Sequence, residues 1–258
     1  MSEQPKATEA TPDIKGAVDH ILESIERERE REIISRRFGL HDRKETLEQI
    51  GELLGITRER VRQLEKAILI RLKMAAEAGV PEINEIEKLF IRHLSEMGRA
   101  AKLQDLADRV DQGNSKHTRA HAAFIAELAP NLSVLGENDS YHHGVAIREY
   151  YPDEKQLKGR VDEIVKTVKD NGEAIELEHL HTSVGKYEHP QHTRALASLS
   201  KNLANLRESW GLTKWPTVNP KNIRDKIYVI LQDNGMPMYF SEISDAINAS
   251  DFKRKDVT

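Results

Sequence analysis

The 258-residue chain contains no cysteine, so disulfides, thiolate catalysis and cysteine-based zinc sites are excluded. It also lacks any apolar run that approaches the roughly 20 residues needed to cross a bilayer. The opening "MSEQPKATEATPD" has neither the basic start nor the apolar core of a secretion signal, and we expect residues 1–13 to be disordered. Together these absences favour a cytoplasmic protein that does not contact a membrane.

Positive charge is in slight deficit, because 39 basic and 43 acidic side chains leave a net charge of −4. A uniformly basic nucleic-acid-binding surface is therefore excluded. Between Gly55 and Met74, however, only Glu59 and Glu65 are acidic, whereas six side chains are basic. The basic ones are Arg58, Arg60, Arg62, Lys66, Arg71 and Lys73. Such a local concentration is expected of an element that enters a groove of DNA.

The pattern of apolar residues and caps predicts a helix-turn-helix. A helix is predicted from about Ile14, and the charged run over residues 26–32 supports its continuation to Gly39. A further helix follows Thr46, whose hydroxyl suits an N-cap, and ends at Gly55. Thr57 caps the next helix, whose buried stripe comprises Val61, Leu64, Ile68 and Leu72. Helix, glycine turn and capped helix form the helix-turn-helix pattern.

The second helix of this pair begins with Arg58, Glu59, Arg62 and Gln63 on the side opposite its apolar stripe. In a helix-turn-helix the N-terminal residues of the second helix meet base edges. Arginine pairs with guanine, glutamine with adenine, and glutamate with the amino group of cytosine. Two plainer interpretations stay open. The stripe could be a coiled-coil seam, which Gly51 and Gly55 limit to about three heptads, or the arginine-rich face could be only solvated.

The stretches "RRFGL" and "TLEQIGELLGITRERVRQLEKA" closely resemble region 4 of the sigma-70 family of bacterial RNA polymerase sigma factors, over about residues 26–74. The resemblance implies a domain that reads the promoter −35 element and packs on the flap of the polymerase β subunit. It implies base contacts by the four residues named above. It also implies phosphate-backbone contacts by Arg29, Arg37, Thr46, Leu47 and Arg60.

The chain departs from the sigma-70 pattern in three respects. Lys66 precedes Ala67 where the family often has the reverse order, and Ile70 stands at a commonly basic position. Only about 25 residues precede the motif, whereas sigma factors have a preceding region that binds polymerase and melts the −10 element. We therefore expect that the chain is not a complete initiation factor.

A weak internal repeat follows, in "MGRAAKLQDLADRV" (97–110), "NGEAIELEHLHTSV" (171–184) and "NGMPMYFSEISDAI" (234–247). "HTRA" recurs 75 residues apart, and Gly98 and Gly172 share nearly the same offset, 74. After the first unit, β-prone runs flank the turn-rich "GENDS" and predict a hairpin. Three helices closed by a hairpin make a winged helix.

We therefore predict a mainly α fold in which a helix-turn-helix domain over residues 14–78 precedes winged-helix repeats. These units are expected over residues 82–151 and 154–218, with an incomplete third unit over 220–258. The third unit resembles the start of a HARE-type winged helix, a domain found in the delta subunit of some bacterial RNA polymerases and beside chromatin and restriction enzymes. We expect either a fragment or an incomplete last unit.

Eleven histidines raise the possibility of a metal site. His179, His181, His189 and His192 fall within fourteen residues, but packing at the start of a repeated helix accounts for the "HTRA" histidines. No metal or other cofactor is expected. The sequence also shows no nucleophile elbow, phosphate-binding glycine loop or acid–base pair, so we do not expect an enzyme.

These observations favour a sequence-specific DNA-binding transcription regulator, with double-stranded promoter DNA and bacterial RNA polymerase as its partners. A polymerase-binding protein that competes with sigma factors is the first alternative, motivated by the acidic overall charge. The DNA-targeting part of a larger restriction-type enzyme is the second.

Overall fold

A computed structural model of the chain describes residues 12–110 and 116–250. The described residues form two compact units. The first runs to Leu135 and also contains His143–Glu154, and the second contains Gly136–His142 and the chain from Lys155 onward. The expected disordered tail lies outside the described residues except for its last two positions, and so does the stretch 251–258, where the third repeat was expected to break off.

The described residues of the first unit form seven helices and a small three-stranded sheet, whose first strand lies between the fifth and sixth helices. In chain order, these elements are α1 (Ile14–Glu23), α2 (Glu28–Phe38), α3 (Leu47–Leu54), α4 (Arg58–Gly79), α5 (Pro81–Glu96), β1 (Ala100–Lys102), α6 (Leu103–Val110), α7 (Lys116–Leu128), β2 (Leu132–Leu135) and β3 (Gly144–Ile147). No helix among the described residues is both long enough and apolar enough to span a membrane.

The prediction of one helix running from Ile14 to Gly39 is wrong. The helix is interrupted between α1 and α2, where the Ser24 hydroxyl donates to the Ile21 carbonyl at 2.6 Å. The break turns Ile25 into the core, where it is 4% exposed. Burial of that side chain outweighs the weak helical support from charged pairs in the run that follows. Gly39 ends α2 as predicted, with a φ of +70°.

The caps of the helix-turn-helix form as predicted. The Thr46 hydroxyl accepts from the Gln49 N–H, and the Gln49 side chain accepts from the Thr46 N–H, so a full capping box begins α3. Gly55 ends α3 with a φ of +63°, and the Thr57 hydroxyl accepts from the Arg60 N–H to begin α4. A small core of Ile33, Ile50 and Val61 seals α2, α3 and α4 together.

A larger core joins the helix-turn-helix to the helices that follow it. It contains Ile34 of α2 and Ile68, Leu72 and Ala76 of α4, together with residues of α1, α5, α6 and α7. The segments 14–78 and 82–151, which the sequence analysis separates, therefore share one core. At their junction only Val80 lies between α4 and α5.

Helix α7 lies at the centre of this larger core. The Phe124 ring meets the Phe38 ring of α2 edge-on, with ring centroids 5.0 Å apart. The buried His121 donates from Nε2 to the Leu40 carbonyl at 2.9 Å. Its burial lowers the pKa of His121 below the ordinary value, because the charged imidazolium would lose its hydration.

From α5 to β6 the elements follow the order that the sequence analysis expected, and the assignment of these repeats as winged helices stays a prediction. In the first unit the antiparallel sheet has the strand order β1-β3-β2. Val145 of the central strand β3 lies between Ala101 of β1 and Val134 of β2. The predicted hairpin around "GENDS" is the β2–β3 hairpin. Helix, strand, two helices and a two-stranded hairpin thus follow one another as in a winged helix.

The second unit repeats this order and adds two helices. Its elements are α8 (Glu154–Asn171), β4 (Ile175–Glu176), α9 (Leu177–Val184), α10 (Pro190–Ser198), β5 (Leu203–Leu206), β6 (Ser209–Leu212), α11 (Ile223–Asn234) and α12 (Phe240–Asn248). The sheet order is β4-β6-β5, again antiparallel, with Ile175 opposite Trp210. The mainly α fold with helix-turn-helix and small hairpins is confirmed.

Gly51 should be essential to the helix-turn-helix, because a Cβ at this position would lie 2.7 Å from the Ile56 backbone oxygen. We expect Gly51→Ala to destabilise the chain by about 1–3 kcal/mol, since backbone in the turn cannot move aside as a flexible side chain would. Urea unfolding followed by circular dichroism measures this change.

Gly159→Ala on α8 is the matched control, because a Cβ there meets nothing within 4 Å. It should raise stability by roughly 0.5–1 kcal/mol, the usual gain when alanine replaces glycine inside a helix. Equal effects of the two substitutions would contradict the close approach of α3 to the turn.

Candidate nucleic-acid interface

The four candidate base-contacting residues lie together on the exposed start of α4. Arg58, Glu59, Arg62 and Gln63 are all exposed, whereas Val61 between them is fully buried. The first two turns of α4 thus present polar side chains on one side and anchor the helix on the other. The alternative interpretation of the apolar stripe as a coiled-coil seam is not supported, because Val61, Ile68 and Leu72 are buried in the cores of the first unit.

These side chains form a hydrogen-bonded network. Arg62 donates to both carboxylate oxygens of Glu59, at 2.8 Å from Nε and 2.6 Å from Nη2. Gln63 Nε2 donates to the same carboxylate at 3.2 Å. The Arg62 guanidinium, helped by Gln63, lowers the pKa of Glu59 to about 2, so this carboxylate stays ionised at any physiological pH.

A second pair links the two helices of the motif. Arg58 Nη1 lies 3.1 Å from Glu48 Oε1 of α3, and both side chains are more than half exposed. Arg60 Nη1 approaches Gln63 Oε1 at 3.4 Å. Exposed pairs of this kind contribute little to stability, about 0–1 kcal/mol. Their effect is to limit the conformations of side chains that face solvent.

The candidate phosphate-contacting residues divide into two groups. The exposed Thr46 and the half-buried Leu47 lie at the N-terminus of α3, and the exposed Arg60 lies in the first turn of α4. At both helix starts the helix dipole and backbone N–H groups favour an anion. Arg29 and Arg37 have internal partners instead.

Arg29 and Arg37 connect α2 to the helix-turn-helix. Arg29 Nη2 donates to the Leu54 carbonyl at the end of α3, at 2.6 Å. Arg37 donates to Glu65 Oε1 of α4 at 3.1 Å and to the Glu45 carbonyl at 2.8 Å, and its side chain is only 22% exposed. Each guanidinium has further N–H groups, so a phosphate contact would come in addition to these bonds.

Several residues at this site were missed by the sequence reasoning. Glu48 and Gln49 complete the contacts to Arg58 and Thr46, and Arg43 and Lys44 are exposed immediately before the α3 cap. Arg43 and Lys44 could have been found from the sequence, because they lie close to Thr46 along the chain. The buried Glu30, which pairs with Arg27 and with Arg71 of α4, had no such local signal.

The histidines form no metal site in the part of the chain that the structure covers, where no three potential ligands converge. His192 is buried, in agreement with packing at the start of α10, but the aligned His117 on α7 is exposed. Packing therefore accounts for only one of the two "HTRA" histidines.

Comparison with known proteins assigns the helix-turn-helix. Residues 27–74 match the family model described as Sigma-70, region 4. This segment is a sigma-70 region 4 domain. It gives the chain a DNA-binding module of the kind that sigma factors use in transcription. The expected resemblance over about residues 26–74 is confirmed, and the HARE resemblance of the third repeat stays a prediction.

Three similar proteins are sigma factors that match less than a third of this chain. The sigma factor sigB of Arabidopsis thaliana is 46% identical over 57 residues, which are 22% of this chain and 10% of sigB. RpoD of Helicobacter pylori is 43% identical over 63 residues, 24% of this chain and 9% of RpoD. SigA of a Nostoc species is 38% identical over 76 residues, 29% of this chain and 18% of SigA. The chain thus spans less than a fifth of these relatives' length, and no solved structure matches it.

The depressed pKa of Glu59 gives a direct test of the network. Arg62→Gln removes the main cause of the depression, so the pKa of Glu59 should rise from about 2 toward its ordinary value. Carboxyl carbon shifts in an NMR pH titration report this change. Lys88→Gln on the exposed side of α5 should leave the Glu59 titration where it is, and an unchanged titration in Arg62→Gln would mean that Glu59 and Arg62 are not paired in solution.

Proposed function

We propose that the protein is a sequence-specific DNA-binding transcription regulator whose helix α4 enters the major groove of a −35-like promoter element. The observation that carries this proposal is the exposed Arg58–Gln63 edge on a helix whose opposite side is buried. The sigma-70 region 4 match supports it, since Arg58, Glu59, Arg62 and Gln63 all lie within the matched residues 27–74. The proposal assigns the chain no catalytic step, and the place of action is the cytoplasm.

Each residue of the edge has a distinct role in this proposal. Arg58 and Arg62 donate to guanine, Gln63 pairs with adenine, and Glu59 accepts from the amino group of cytosine. Arg62 gives two N–H groups to Glu59 and keeps others for a base. Because Glu59 is ionised and held by Arg62, both side chains are oriented before DNA arrives.

Phosphate contacts fix the register of α4 in the groove. Thr46, Leu47 and Arg60 lie at the exposed helix starts, and Arg29 and Arg37 brace α2 against them. Since backbone contacts release counterions, binding should weaken as salt rises. Bacterial RNA polymerase is the proposed protein partner, as the relatives' names indicate for those proteins.

Reversing the charge of the reading edge should abolish sequence preference. In Arg62→Glu with Gln63→Glu, each lost base contact removes about 1–3 kcal/mol of discrimination. The measurement is a gel-shift titration with duplexes selected from a random-sequence library by the wild-type chain, compared with scrambled duplexes of equal composition.

The matched control is Lys88→Glu with Gln104→Glu, which makes the same charge change at exposed positions of α5 and α6. This control should keep the sequence preference of the wild-type chain. If the preference survives in the α4 variant, the assignment of this helix to base recognition is wrong.

A second candidate function is a polymerase-binding protein that competes with sigma factors. It is favoured by the net charge of −4 and by two exposed apolar side chains further along α4, Ile70 at 49% and Met74 at 63% exposure. Capture of core polymerase on the immobilised chain without DNA, lost on Ile70→Ser with Met74→Ser, would support this candidate. Capture that needs duplex DNA would favour the leading proposal.

A further inference from the structure

Helix α7 is the helix of the first winged-helix unit that would be expected to read DNA. It follows α6 as the second helix of a helix-turn-helix pair, and in such pairs the second helix enters the major groove. In this structure, however, α7 is mostly internal from His121 to its end, whereas residues 117–120 are exposed or half-buried. His121, Phe124 and Ile125 are 5%, 0% and 0% exposed, and the residues around them are similarly buried.

The partners of α7 are the sigma-70 region 4 helices themselves. Phe124 packs on Phe38 of α2, and His121 donates to the Leu40 carbonyl just beyond α2. Lys73 of α4 lies 2.6 Å from Glu127 of α7. One helix of the winged unit therefore contacts both α2 and the reading helix.

We propose that α7 is a positioning helix, which touches no DNA and instead fixes the geometry of α2 and α4 for base recognition. This inference rests on the proposed function for its DNA part. Phe124, His121 and Glu127 are the positioning residues. The winged fold is used here as an internal support for a neighbouring DNA reader.

The physical reason is that a small tilt of a long helix displaces the residues at its far end. α4 has 22 residues, and Lys73 lies about 15 Å along it from Gln63, at 1.5 Å per residue. Bidentate base contacts need donors and acceptors aligned at hydrogen-bond distances. A tilt at the end held by α7 would move the reading end out of that alignment, whereas phosphate contacts through flexible side chains tolerate it.

The first turn of α7 is polar, but little of it is fully exposed. His117 is exposed, and Arg119 lies 3.2 Å from Asp108 of α6. A helix that read DNA would present several exposed polar groups at its first two turns, as α4 does, whereas among residues 117–121 of α7 only His117 is exposed. The contrast between the two helices favours support over recognition for α7.

The first arm of the test needs no DNA. Because the chain has no cysteine, Ala67→Cys and Lys88→Cys place a unique spin-label pair on the exposed sides of α4 and α5. Pulsed electron resonance should give a narrow distance distribution in the otherwise wild-type chain. Phe124→Ala should broaden it, and Phe124→Leu should restore most of the narrow distribution.

A second set of variants serves in case Phe124→Ala loses helical circular dichroism. Glu127→Lys places two positive charges together and should broaden the distribution, whereas the swap of Lys73→Glu with Glu127→Lys should restore it. A narrow distribution in every folded α7 variant would overturn the proposal. This arm gives its answer even if the chain has no sequence preference, so it separates failure of the positioning role from failure of the proposed function.

The second arm measures preference for the selected duplex over the scrambled duplex. The variants that broaden the distance distribution should lower the preference about tenfold, the value of roughly one base contact, with binding to scrambled duplex changed less than twofold. The restoring variants should recover it. Broadening without loss of preference would overturn the positioning role while leaving the proposed function intact.

Arg119→Gln distinguishes support from direct contact. It removes one positive charge from the first turn of α7 without touching the buried face. We expect affinity for both duplexes to stay within twofold of wild type. A larger loss on the selected duplex alone would mean that α7 itself meets bases, and the proposal would fail.

Discussion

Burial of one side of α4 is the constraint on which the rest of the structure depends. Val61 enters the small core with Ile33 and Ile50, while Ile68, Leu72 and Ala76 enter the larger one. Burying a branched aliphatic side chain is worth about 1.5–3 kcal/mol, which exceeds the 0–1 kcal/mol of an exposed ion pair. Apolar burial therefore sets the rotation of α4, and the Arg58–Gln63 edge faces outward as a consequence.

The charges around α4 serve two different purposes. Glu30 is buried and pairs with Arg27 and Arg71, and Arg37 is mostly covered where it meets Glu65. Loss of one partner in such pairs leaves an uncompensated charge away from water, which is costly. The exposed pairs of Glu59 with Arg62 and Glu48 with Arg58 have little such cost. The buried pairs therefore hold α2 and α4 together, whereas the exposed pairs at the start of α4 can open at little cost.

The parts of the fold that local chemistry specifies could be predicted from the sequence. Thr46, Gly55 and Thr57 bound the helix-turn-helix where their caps and turn conformations require. The exposure of the four candidate base-contacting residues was predictable because helical spacing alone places them opposite Val61. Local patterns could not show that the chain turns at Ser24, since the reason is burial of Ile25 against distant helices.

The role of α7 also could not be predicted from its own sequence. "KHTRAHAAFIAEL" is short of groove-reading groups, but nothing in it identifies Phe38 and Leu40, about 80 residues earlier, as its partners. The close approach at Gly51 could not be predicted from the sequence either, because Gly51 meets the backbone of the following turn. Tertiary contacts of this kind depend on which surfaces meet, and periodicity does not encode that.

The two repeats that follow the helix-turn-helix share a topology but differ in the side chains that they bury and expose. Both have the same strand order, yet the paired residues at the sheet centre are Ala101 and Val145 in one and Ile175 and Trp210 in the other. At aligned helix positions His117 is exposed and His192 is buried. In α10, as in α7, most side chains face inward. Since a fold alone does not fix a function, the exposed chemistry must decide it. Among the described helix pairs, the Arg/Glu/Gln set suited to base edges stands at the start of α4, a helix whose rotation is fixed by two cores.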